Sequence, residues 1–375
     1  MNRSIQAICL MPVVLVLVST SMGAGSWAVQ QLTDDEILQE GVRVYGERVV
    51  WTGPTETNAH YQVRLYDGSQ TTMLTNDTHH NYRPDVSESI VAWHCLDSQQ
   101  QVKVFDGQSV SVLTSGGSHK WARVSGERIA WAGWPDNSDT EIMFFDGQSV
   151  KQVTDNSHGE GRPRVSQELV AWTADDGSDP DVFIYDGLDV VRISDNDELD
   201  SDPEVSGSRV VWRGFDGEDW EIYLYEQGQV KQLTDNNYDE DQPGICGSRV
   251  VWIGSPDGND QEVFLYDGGL TVQLTDNDLD ERSPAVSEDH VAWNTHDGTD
   301  WELFSWDGTE THRLTSDEFD DGPPEISGGN IAWTAWDGHD AEVFSATYVP
   351  EPATMTLLAL GGLAVIRRRS RRELK

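Results

Sequence analysis

Positive charge is what this chain has least of. Only 25 Lys and Arg stand against 66 Asp and Glu, a formal net charge of −41. Such a chain repels phosphate backbones and anionic membrane surfaces, which excludes nucleic acid as a partner and suits solubility in salty surroundings. Cysteine is nearly as scarce. Cys9 falls in the first apolar run, and Cys95 and Cys246 stand in the second and sixth of the repeating units described below, too far apart round a ring to bridge. No internal disulfide is expected, and Cys246 takes the place of a serine as a small packed residue. There is no G-x-S-x-G, no H-E-x-x-H, no C-x-x-C and no Walker glycine loop, so the chemistries those motifs carry find no support. Paired carboxylates for glycoside hydrolysis stay open, because dozens of acids are present and spacing singles out no two.

What fills the middle of the chain is a repeat. Residues 203–236 read PEVSGSRVVWRGFDGEDWEIYLYEQGQVKQLTDN. Four apolar or alternating runs (204–206, 209–212, 221–225 and 230–234) are separated by Gly207, Asp216-Gly217 and Gln227-Gly228, which predicts four antiparallel strands joined by tight turns. The tryptophan closing the second run recurs as Trp51, Trp93, Trp131, Trp172, Trp212, Trp252, Trp293 and Trp333, at spacings of 42, 38, 41, 40, 40, 41 and 40. A period near 40 with four strands per unit is the pattern of a β-propeller; coils of a β-solenoid, the alternative, are usually shorter. The fold class expected is therefore all-β, a β-propeller.

The fragments at the two ends of the repeat argue for closure. Residues 29–35, VQQLTDD, form a fourth strand with no blade of its own, and the last unit stops after its third strand. One strand, seven sets of four and three more make thirty-two, or eight four-stranded blades. The N-terminal strand is expected to complete the last blade and leave no open sheet edge.

The ends of the chain supply an address. Residues 1–28 combine Arg3, an apolar core from Ile8 to Val18 and small residues after it, as a secretory signal peptide does; cleavage after Ala28, or nearer Ala24, would release the mature chain. The propeller is assigned to 29–348. In 349–375, Pro350-Glu351-Pro352 precedes a fourteen-residue apolar stretch, Ala353 to Ile366, and a basic tail with Arg367, Arg368 and Arg369. A helix of that length rises about 21 Å and makes a marginal membrane span, with the arginines on the cytoplasmic side. This order of parts resembles the PEP-CTERM sorting signal of Gram-negative bacteria. The resemblance implies an exosortase-type processing protease as partner, a transient inner-membrane anchor, and then surface attachment or release, often where extracellular polysaccharide is made. A plain tail anchor is the alternative.

The units themselves, P-E-V-S, V-V-W, F-D-G-E-D, E-I-Y and Q-L-T in residues 203–234, resemble TolB-type (PD40-like) propeller repeats. The Ser-Pro-Asp-Gly turn typical of that family is missing, no α/β domain precedes the repeat, and eight units exceed TolB's six. The resemblance therefore implies the fold and not TolB's envelope role.

Loop chemistry suggests where ligands would sit. The second-to-third hairpins and the links between blades share one face, and both are acidic. Asp235, Asn237 and Asp239, and again Asp276, Asp278 and Asp280, alternate along two links, so their carboxylates point to one side. Calcium is the cofactor such a D-x-(D/N)-x-D order would take, and solvated turns are the other explanation. The first two links instead carry His79, His80, Tyr82 and His119, which suit an acidic or sugar ligand. Trp134, Trp220 and Trp301 lie off the core register in or beside hairpins and are further contact candidates. A non-catalytic binding module for extracellular polysaccharide or an envelope protein is the favoured function, because the blades are nearly regular; a polysaccharide hydrolase or lyase is the alternative.

Overall fold

The computed structural model describes residues 15–17, 25–97, 99–135, 139–175 and 177–350. The described residues form eight antiparallel sheets and no helix. The expectations for most of the signal peptide, and for Glu351, Pro352, the apolar stretch and Arg367, Arg368 and Arg369, fall outside them.

Blade 5 shows the unit: Asp200–Ser206 innermost, then Arg209–Phe215, Trp220–Glu226 and Gln229–Gln232 at the rim. The inner strand begins four residues before the expected start at Glu204. Its pairing shifts register between Ser201 and Glu204, and this β-bulge takes up Pro203, which has no N–H to give the ladder. Asp202 sits in the bulge at φ 53°, and Arg83, Trp121, Gln242 and Ser283 hold the same left-handed conformation in other blades.

All eight repeat tryptophans are at most 1% exposed and pack between neighbouring blades, as their periodic placement predicts. Burying an indole obliges its N–H to find an acceptor. Asn81, His119, Asp200 and Asp321, each twelve residues before its tryptophan, accept from Trp93, Trp131, Trp212 and Trp333 at 2.6–3.0 Å. The closing Thr or Ser of each blade is a second clamp: in blade 5, Thr234 Oγ1 accepts from Ile222 N at 2.8 Å, and Thr33 does the same for Val343.

The ring closes as expected. Ser26–Gln31 pairs antiparallel with Ala341–Val349, from Ser26 opposite Val349 to Gln31 opposite Phe344. The strand reaches further back than the expected start at Val29. Trp27 is 6% exposed and meets His290 and Tyr348 edge-on at centroid distances of 5.2 and 5.4 Å. Leu15–Leu17 adds a fifth strand outside it. Cys95 and Cys246 are both free.

Candidate functional site

The hairpins and links do share a face, and hydrogen bonds tie them together. Asp239 Oδ1 accepts from Trp220 N at 3.1 Å, and Asp280 Oδ1 from Gln261 N at 3.3 Å. The third acid of each alternating link is thus engaged with a hairpin amide. Asn237 and Asp278 are exposed, as is Asp276. Asp235 leans the other way: one oxygen each from Asp216, Glu221 and Asp235 lie within 4.8 Å of one another. No such gathering holds Asp276, Asp278 and Asp280 together.

Beneath this surface lies a set of buried carboxylates that sequence reasoning missed. In blade 5, Asn236 in the link donates its backbone N–H to Glu221 (2.8 Å) and its side-chain amide to Glu240 of the next blade. Asn277 bridges Glu262 and Glu281 in the same way, at 2.8 and 3.1 Å, and Asn156 bridges Glu141 and Glu160. Removal from water penalises the charged form, so Glu160 is pushed up to about 7, and Glu240 and Glu281 are raised further by burial and by the partner carboxylate. The signal was available: an Asn two residues after the closing Thr, with an acid fifteen positions before it and another four after.

The predicted ligand residues divide. His80 stacks on Tyr82 with planes 5° apart and centroids at 5.3 Å, next to Tyr61 and His60, so this cluster gathers as a partly exposed aromatic patch. His79 stands beside it, 3.8 Å from Asp77. His119 is different. It is 4% exposed, takes the Trp131 N–H on Nδ1 and reaches the Gly116 carbonyl through Nε2 at 2.7 Å, and burial lowers its pKa. It fills the core-acceptor position of blade 3 and presents no ring atom to a ligand. Trp134 packs edge-on against Trp121, with Lys120 over the one ring and Arg162 over the other. Trp220 and Trp301 line one cleft of about 510 Å³ over blades 5 to 7, covered by Arg213 at 4.6 Å and Arg282 at 3.8 Å from the ring centroids.

The central channel holds the second feature not foreseen. At the inner-strand position eight residues before each core tryptophan, six of the eight residues are charged: Arg43, Asp85, Arg123, Arg164, Glu204 and Glu325 line a cavity of about 260 Å³. Arg43 pairs with Glu325, and Arg164 with Glu204 at 2.6 Å. Asp85 accepts from the backbone of Val124 at 2.9 Å. The Arg123 guanidinium makes no hydrogen bond to any described residue. Burial and the neighbouring Arg43 bring its pKa down to about 10, so it remains charged at neutral pH. A second cavity, of about 290 Å³, adjoins at the mouth on the link face, where Arg43 and Arg123 meet Arg83 and Glu40. In a chain with so few cations, blades 1 to 4 bring four arginines to one opening.

Comparison with known proteins supports both halves of this architecture. Residues 349–372 match the PEP-CTERM protein-sorting motif. A search of curated proteins returns no match. Among solved structures, the β-propeller domain of the Trilobed protease from Pyrococcus furiosus is similar at 11% identity and TM-score 0.54, over 84% of this chain and 98% of that one. A puromycin-hydrolyzing peptidase of Mycobacterium tuberculosis (13%, TM-score 0.54) and the acylaminoacyl peptidase of Pyrococcus horikoshii (15%, TM-score 0.52) each match over 80% of this chain. The match spans only 57% and 58% of those two peptidases. Likeness at such identities shows the fold alone. The chain is an eight-bladed β-propeller protein carrying a C-terminal PEP-CTERM sorting motif, which marks it for export and surface sorting.

Proposed function

We propose that the protein is a non-catalytic binding module of the cell surface or extracellular matrix, and that the basic mouth of its channel holds an anionic group of a polysaccharide. The observation that carries this is Arg123, a half-buried guanidinium without a hydrogen-bond partner among the described residues, set between Arg43 and Arg164 in a chain of net charge −41. A carboxylate is the natural complement, because guanidinium offers a planar fork of donors to it. Rings suited to a sugar face stand near the mouth in blades 1 to 3: Tyr82 and His80 on one side, Trp121 and Trp134 on the other. The PEP-CTERM motif, with an exosortase-type protease as its reader, supports this reading, because such sorting often accompanies extracellular polysaccharide. The cleft of Trp220 and Trp301 is a second contact surface on the same face.

The test is a panel of polysaccharides offered to the exported protein, with binding and product release both measured. Polyuronates are expected to bind with an affinity that falls as salt rises, neutral glucans to bind weakly or not at all, and no fragments to appear. Release of oligosaccharides would overturn the non-catalytic reading, and equal binding of neutral and anionic polymers would overturn the role of the arginines.

A further inference from the structure

Blade 8 joins the two ends of the chain, and its hairpin holds buried carboxylates with no Lys or Arg of the described residues at ion-pair distance. Asp340 and Glu342 are 9% and 0% exposed, and one oxygen from each lies within 4.8 Å of an oxygen of Asp35, which comes from the N-terminal segment. Glu342 Oε1 takes the Asp35 N–H at 2.8 Å. Its Oε2, and both carboxylate oxygens of Asp340, are buried without a hydrogen-bond partner. In blades 3 and 6 the strand-three acid has a neighbouring glutamate with which it can share a proton; in blade 5 Glu221 has such a neighbour and also Asp216 and Asp235 gathered on it, more carboxylates than one shared proton neutralises. In blade 8 the corresponding position, twelve before Trp51, is Gln39, whose side-chain amide donates to Asp35 Oδ1 at 3.2 Å but carries no titratable proton. Like charges so placed are costly unless a cation lies among them.

Two other blades show what belongs there. In blade 7, Arg313 Nη2 sits 2.8 Å from both Asp297 and Glu302. In blade 4, Arg192 Nη2 lies 2.6 Å from Asp181 and 3.3 Å from Asp195. Each arginine stands two residues before the closing Thr or Ser and puts its charge onto the strand-three acid, the position Glu342 holds in blade 8 and Glu221 in blade 5. At that position blade 8 has Gln31, and blade 5, with its gathering of Asp216, Glu221 and Asp235 and its unpartnered Glu221 Oε2, has Gln232.

We propose that Asp35, Asp340 and Glu342 bind a calcium ion across the seam of the ring, and that Asp216, Glu221 and Asp235, built on the strand-three glutamate equivalent to Glu342, form a second site in blade 5. The donors are all carboxylate oxygens, which favours a hard cation such as calcium over zinc or copper. At the seam the ion ties the N-terminal segment to the last blade, so that ring closure depends on calcium outside the cell. Of the link residues read from the sequence as calcium ligands, Asp235 alone takes part.

The experiment is calcium titration of the exported protein after chelator treatment, by calorimetry and by melting. Two ions per chain are expected, with Kd of about 10⁻⁴ to 10⁻³ M. Ten millimolar calcium should raise Tm by about 3–6 °C beyond sodium chloride of equal ionic strength. Gln31→Arg imports the arginine of blades 4 and 7. It should remove one ion from the stoichiometry and raise Tm in chelator, and Asp340→Asn, which takes away a ligand carboxylate, should remove the same ion. An equal response to calcium and sodium, or a stoichiometry that neither variant changes, would overturn the proposal.

Discussion

Twelve residues before each core tryptophan stands a polar side chain that belongs to the core as much as the indole does. Asp200 and Asp321 hold an indole N–H there, and His119 does so in blade 3, which is why a histidine that looks like a ligand in the sequence is buried. Glu160, Glu240 and Glu281 occupy the same position, each against a second acid. Their folded pKa values lie above the unfolded ones, so the folded chain binds more protons, and stability present below about pH 4.5 is lost as pH rises through the folded values. In chelator, Tm should therefore fall between pH 5 and pH 9. Glu240→Gln, which keeps the shape and removes one titration, should raise Tm at pH 8 and change it little at pH 5; a gain equal at both pH values would contradict this account. These pairs were hard to read because each joins residues of neighbouring units. The repeat reveals each position, but not that the ring brings them together across a blade boundary.

Strand number, blade count and closure were legible, since Asp-Gly turns, alternating runs and orphan end strands are local signals. Strand starts were not. A proline marks the end of a regular ladder, and here the bulge carries the ladder past it, from Asp200 through Asp202 at φ 53° to Glu204. The N-terminal strand departs in a similar way. Cleavage after Ala28 would remove Trp27, which packs against Tyr348 and His290, whereas cleavage nearer Ala24 retains it. The mature protein is expected to keep Trp27, as intact mass would show, and Trp27→Ala should cost about 3–5 kcal/mol of stability, as loss of a large buried side chain does. A mature chain beginning at Val29 with an undiminished Tm would contradict the role given to this strand.

Across the whole molecule, charge is sorted by sector. The acids ring the link face and fill the hairpins, while Arg43, Arg123 and Arg164 line the channel and Arg83 joins Arg43 and Arg123 at its mouth. A net charge of −41 averages this away, and strand alternation tells which residues share a sheet face, not which of them reach the axis once the ring closes. The lopsided links of the first two units were the visible part of the pattern; the arginines beneath them were not. Arg123 is the sharpest point of the functional account because Arg43 and Arg164 already have carboxylate partners. The most direct measurement is calorimetric titration of an oligouronate into the exported protein and its Arg123→Gln variant at pH 7 and low salt. The variant should fold normally, since Arg123 bonds no described residue through its side chain, and bind at least tenfold more weakly. Equal affinity in the two proteins would contradict the assignment of the channel mouth as the ligand site.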